Sequence, residues 1–189
     1  MTAMTTLHVP YDGWTVEELP DDLPFRYELV DGALLVSPPP QLRHDAVAVQ
    51  LLLLLAPRLP EHWRIAPSPG LFIDARNYRQ PDLVVYGPAA ADKNRIEPVD
   101  AILVVEVMSP GSVSNDRVAK PHLYAACGIR HFWRIELDPM LLLVHELNGK
   151  DYRQTGRFTD DVVIDEPCRC GSAWPTCWAE PGLPDPPRR

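Results

Sequence analysis

The run Ala101-Ile102-Leu103-Val104-Val105-Glu106-Val107-Met108 constrains this chain more than any other segment. Its continuous Ile-Leu-Val-Val stretch predicts a strand covered on both faces, because a half-exposed strand would alternate polar and apolar residues. Covering both faces takes layers on each side of a sheet, so the fold class is α/β. One acid interrupts the run. An ionised carboxylate in so apolar a strand is costly unless it is paired or bound to a metal.

The rest of the chain supplies the layers. Thr15 and Glu18 form a capping box, which predicts a short helix ended by Pro20 to Pro24. Arg26 to Val30 and Ala33 to Val36 flank Asp31-Gly32, a favoured tight-turn pair, and predict a β-hairpin. His44 to Ala56 places apolar residues 47, 51, 54 and 55 on one helical face, and Pro57 stops it. Strands are expected at 63–66, 71–74 and 82–86. After Ser109 to Ser114, a helix runs to about Ala126 and Gly128 caps it. His131 to Leu137 and Leu141 to Leu147 read as strands turning at Asp138-Pro139, with an edge strand at 151–157. The predicted architecture is a mixed β-sheet flanked by α-helices, with an N-terminal hairpin. Residues 1–24 read as a lead-in, 25–165 as the domain, and 166–189 as a Pro/Cys-rich tail. The length of 189 residues suits one such domain.

Net charge is −8, which excludes a protein that coats phosphates over its whole surface but leaves room for a local basic groove. The longest apolar stretch, Ala46 to Ala56, is too short for a bilayer, which takes about 20 residues. With no basic-then-apolar leader, the expectation is a cytoplasmic protein with reduced thiols and no membrane contact.

Two acids stand at strand ends. Glu106 lies inside the apolar strand, and Asp82 opens Pro81-Asp82-Leu83-Val84-Val85. Together they could share one hard cation such as Mg²⁺. Lys120, one of only three lysines, could place a positive charge beside an attacking water or a developing oxyanion. Glu28 is a further acid on the hairpin.

Plain alternatives stand beside each. Glu106 could pair with Arg134, Asp82 could simply start a strand, and Lys120 could be a solvated helix-start lysine. Glu28 could be a cross-strand partner, and His44 could mark a helix start. Trp63, Trp133 and Tyr124 read as core rather than stacking platforms. Cys168, Cys170 and Cys177 supply three ligands where a structural zinc takes four, so unpaired thiols are expected there.

Several segments form an ordered set: Phe25-Arg26-Tyr27-Glu28-Leu29-Val30-Asp31-Gly32, Pro38-Pro39, His44, Pro81-Asp82-Leu83-Val84 and Val105-Glu106-Val107-Met108-Ser109-Pro110. Asp116, Lys120, Tyr124, Gly128 and Phe132-Trp133-Arg134-Ile135 follow. Over roughly residues 14–165 the set resembles the Uma-two family of putative restriction endonucleases, in the PD-(D/E)xK nuclease superfamily. The resemblance implies a restriction-endonuclease-like core and Mg²⁺-dependent phosphodiester hydrolysis, with Mn²⁺ as a substitute. The expected function is an endonuclease acting on DNA, and a homodimer is expected because two strand cuts suit two-fold symmetry. The resemblance makes Asp82, Glu106, Lys120 and Glu28 the catalytic residues. It makes Asp82, Glu106 and Val107 the metal ligands, with His44 and Tyr124 toward substrate; Arg117, one of the basic residues clustered after the motif, is a further candidate to meet substrate. Met108 stands where the superfamily usually has a lysine, and Lys120 on the next helix matches its displaced position. Pro121 directly after Lys120 departs from the pattern and requires the helix either to start there or to kink. That departure leaves open a second function, a binding or scaffold module on a nuclease core without turnover. A third, a glycosidase acid–base pair, would require a sugar cleft and no metal.

Overall fold

The computed structural model describes residues 11–19, 23, 26–108, 118–159, 162–164, 167 and 170–172. Its largest unit is a six-stranded mixed sheet. The strands are β3 (Arg64–Pro67), β6 (Leu83–Tyr86), β7 (Ala101–Val107), β8 (His131–Leu137), β9 (Met140–Asn148) and β10 (Asp151–Phe158). They lie in the order β10-β9-β8-β7-β6-β3. Only β7 and β8 pair in parallel; the other neighbours are antiparallel. A parallel neighbour needs a crossover, and here it is helix α2 (Lys120–Ala126).

A second sheet has four strands in the order β2-β1-β5-β4. These are β1 (Tyr27–Val30), β2 (Ala33–Val36), β4 (Leu71–Asp74) and β5 (Asn77–Arg79). The β1–β2 turn has φ of 51° at Asp31 and 86° at Gly32, the left-handed pair that a tight hairpin takes.

Alternation along β7 assigns each face of the large sheet to a different layer. Leu103, Val105 and Val107 pack with Val47, Leu51 and Leu55 of helix α1 (Leu42–Leu55). Val104 packs on the other side with Tyr124, Ile129 and Phe132, and with Leu71 of the small sheet. Glu106 has the parity of Val104, so its side chain points to the α2 side.

Most expected elements are present within one or two residues. The first short helix is a 3₁₀ turn, Val16–Glu18, with its capping box formed. Two differences have physical causes. Strand β5 was not expected, because Asn-Tyr-Arg has no apolar run and is recruited by β1 and β4 on either side. Inside the segment read as an irregular tail, β12 (Cys170–Ser172) pairs with β11 (Val162–Ile164). The expected loop at 109–114 lies outside the described residues. No described helix is long and apolar enough to cross a membrane.

Candidate active site

Strand register brings the two key acids together. Leu83 pairs with Val105 across β6 and β7, and continuing that ladder by one residue sets Asp82 opposite Glu106. Both are buried, as are Glu28, His44, Lys120 and Tyr124. The six come from the two larger sheets and from α1 and α2, with Asp82 at the mouth of β6.

Lys120 joins the sheets. Its Nζ lies 3.0 Å from Glu28 Oε1 and 3.1 Å from Glu106 Oε2. The Tyr124 hydroxyl donates to Glu106 Oε1 at 2.6 Å. Burial, then the charges of Glu106 and Glu28, push the Tyr124 phenol well above its ordinary value, so it stays a donor. Lys120 and Tyr124 are spaced four apart on α2 and therefore address the same carboxylate from one helical face. Pro121 sits in the first turn of α2 as assigned, Lys120–Ala126. Val118 and Ala119 just before it already have π-helical backbone, so a wider helical turn leads into α2 at this point, and the lysine reaches both acids.

Asp82 is held at both oxygens. Oδ1 accepts from Arg26 Nη1 at 2.7 Å. Oδ2 accepts from the Val107 amide at 2.6 Å and lies 3.4 Å from His44 Nε2. His44 Nε2 also lies 3.0 Å from the Val107 carbonyl. Facing two acceptors, that nitrogen carries a hydrogen. Burial pushes the Asp82 carboxyl up, but the His44 hydrogen bond, the Arg26 charge and the Val107 amide outweigh it, and it rests below its usual value. The imidazole moves the opposite way: burial lowers it, Asp82 raises it more, and it ends above its usual value.

The expected residues therefore divide. Asp82, Glu106, Lys120 and Glu28 converge. His44 and Tyr124, expected toward substrate, are buried behind the carboxylates they bond. Val107 meets the cluster through its backbone, both as amide donor and as carbonyl. Arg117 and Asp116 lie outside the described residues, as do Cys168 and Cys177. Arg134 stands beside Glu106 in the β7–β8 register and pairs with Glu136 at 3.2 Å. Lys120 is no solvated lysine, being only 7% exposed.

Two arginines escaped the sequence reading. Arg26, two residues before Glu28, also donates to the Gln80 carbonyl. Arg79 is buried, donating to the Leu29 and Tyr78 carbonyls. For Arg26 a signal existed: residues two apart on a strand share a face, so Glu28 marked it.

The donors suit a hard divalent cation. Asp82 and Glu106 offer carboxylate oxygens, and Val107 offers a peptide carbonyl. Among the described residues no three His, Cys, Asp or Glu side chains are arranged as a complete metal cage. A cation that keeps its waters and uses two carboxylates needs no such cage.

No curated protein matches the sequence. The fold is similar to a crystal structure described as a putative nuclease belonging to DUF820 from Anabaena variabilis. That match has a TM-score of 0.62 at 21% identity and covers 81% of this chain and 89% of the other. It bears out the nuclease-type α/β fold. The family described as Uma2, "Putative restriction endonuclease", matches residues 15–169, and the chain belongs to that family.

Proposed function

We propose that this protein is a metal-dependent endonuclease that hydrolyses phosphodiester bonds in DNA. The observation that carries the reading is the buried lysine shared by Glu28 and Glu106, one ladder step from Asp82. Burying three carboxylates is expensive, and an apolar cluster would hold the sheets together as well. Such clusters concentrate where chemistry is done.

Asp82, Glu106 and the Val107 carbonyl would hold Mg²⁺ or Mn²⁺. When bound, the cation would lower the pKa of a water and offset phosphate charge. The chain's own groups supply the rest. Lys120 places its ammonium where charge develops as water adds to phosphorus and the P–O bond to the leaving nucleoside breaks. Tyr124 fixes the Glu106 carboxylate, and His44 with the Val107 amide fixes Asp82, so neither acid needs to reorganise. A homodimer would present two such sites to the two strands of a duplex.

Nicking of supercoiled plasmid tests the reading. Wild type is expected to nick in Mg²⁺ or Mn²⁺ and to stop with EDTA. Glu106→Gln and Lys120→Met each slow nicking by at least about 100-fold, the usual reach of one well-placed polar group. Intact plasmid with wild type in both metals would instead favour a binding module without turnover. Full activity in Glu106→Gln would move the site elsewhere.

A further inference from the structure

We infer that Arg26 competes with the cation for Asp82 and, once displaced, clamps the substrate phosphate. This rests on the cation site proposed above.

The geometry singles out one oxygen. Asp82 Oδ2 is committed to the Val107 amide and lies near His44, whereas Oδ1 has the Arg26 guanidinium as its partner at 2.7 Å. A cation at Oδ1 would sit about 2.1 Å from it. Dication and guanidinium would then lie within a few ångströms of each other in a largely buried site, where like charges repel strongly. The two therefore exclude each other at this carboxylate.

Exposure gives Arg26 somewhere to go. Its side chain is 22% exposed, against 3% for Asp82, 2% for Glu106, 7% for Lys120 and 11% for Glu28. It is the most exposed of these five side chains, and a phosphate must arrive from solvent. Arg26 precedes β1 in the small sheet, while Asp82 and Glu106 belong to the β6–β7 ladder of the large one. To turn away, the guanidinium gives up its bonds to Asp82 and to the Gln80 carbonyl, while the acids keep their other partners. Its planar fork also matches two phosphate oxygens at once, which a lysine cannot do.

Charge agrees in direction. Removing the Arg26 guanidinium takes one positive charge from the cluster, so the site with its cation has one charge fewer to meet a phosphodiester. Cation and phosphate should therefore bind cooperatively through Arg26, and linkage makes the effect reciprocal.

Two titrations on the full chain decide it. Mn²⁺ is titrated calorimetrically into wild type, Arg26→Gln, Arg26→Lys and Asp82→Asn. A fluorescein-labelled DNA duplex is followed by anisotropy with and without Ca²⁺, which takes the same oxygen donors. Arg26→Gln is expected to bind Mn²⁺ about tenfold more tightly than wild type, because a competing charge is gone. It should also lose the gain in duplex affinity that Ca²⁺ confers on wild type. Arg26→Lys keeps the charge and so keeps wild-type Mn²⁺ affinity, with a reduced duplex gain. A merely structural arginine would give weaker Mn²⁺ binding and a lower melting temperature.

A folded Arg26→Gln that binds Mn²⁺ no more tightly overturns the inference. So does a duplex gain unchanged in either arginine variant, and Arg26→Lys alone decides this should Arg26→Gln not fold. Loss of Mn²⁺ binding in Asp82→Asn with no effect of Arg26→Gln removes only the role of Arg26. Wild-type binding by Asp82→Asn removes the cation site and this inference with it.

Discussion

Lys120 is buried where two acids from different sheets converge on it. Glu106, Asp82, Lys120 and Glu28 were legible because their types clash with their settings: acids in apolar strands, and a rare lysine downstream. His44 was legible as a residue but not in its role, since only the fold shows its ring wedged between Asp82 and the Val107 carbonyl. That position makes stability depend on pH. Pairing raises the folded-state pKa of His44 above its ordinary value. Its contribution is therefore fully present below about pH 6.5, the unfolded value, and fades as pH rises through the folded one. Thermal melts of wild type and His44→Gln should show the wild-type advantage largest near pH 6 and smaller by pH 8.5. An advantage that grew toward pH 8.5 would place a neutral imidazole between the two acceptors. Comparing the pair cancels His145, which burial shifts the other way.

At the scale of elements, β7 was the most secure expectation, and its apolar run is covered on both faces as predicted. The β1–β2 hairpin was equally readable, because Asp31-Gly32 suits few other conformations. Strand β5 was not, since three residues with a single aromatic are too short to show a period, and they pair because two neighbouring strands offer edges. The hairpin turn is worth a direct test because the strand it closes carries Glu28, with Arg26 just before it. Gly32 has φ of 86°, and a Cβ there would collide with the Arg76 guanidinium. Arg76 Nη2 donates to the Asp12 and Asp31 carbonyls at 2.7 and 2.8 Å, so moving it breaks both bonds. Gly32→Ala should cost about 1–2 kcal/mol in urea unfolding, the usual range for a left-handed position plus disturbed bonds. No loss would mean that the turn relaxes freely and does not hold the site.

At the scale of the molecule, a net charge of −8 opposes a broad electrostatic grip on DNA. On the proposed function only a few cations near the site meet phosphates. Duplex affinity should then fall with a log–log salt slope of only about −2 to −3, as for about three phosphate contacts. Anisotropy titrations across NaCl concentrations measure it, and a slope several times steeper would reveal a basic surface not counted here. The sequence alone determined the layered α/β class and the strand holding Glu106, and together with the family resemblance it singled out four residues that converge. It did so because periodicity, turn chemistry and misplaced charge are local properties. Only the tertiary structure decided which oxygen meets which donor. It seated Lys120 between Glu28 and Glu106, set Arg26 on Asp82 and placed His44 against the Val107 carbonyl. Those contacts join residues 14 or more positions apart, and strand order and register, not local preference, bring them together.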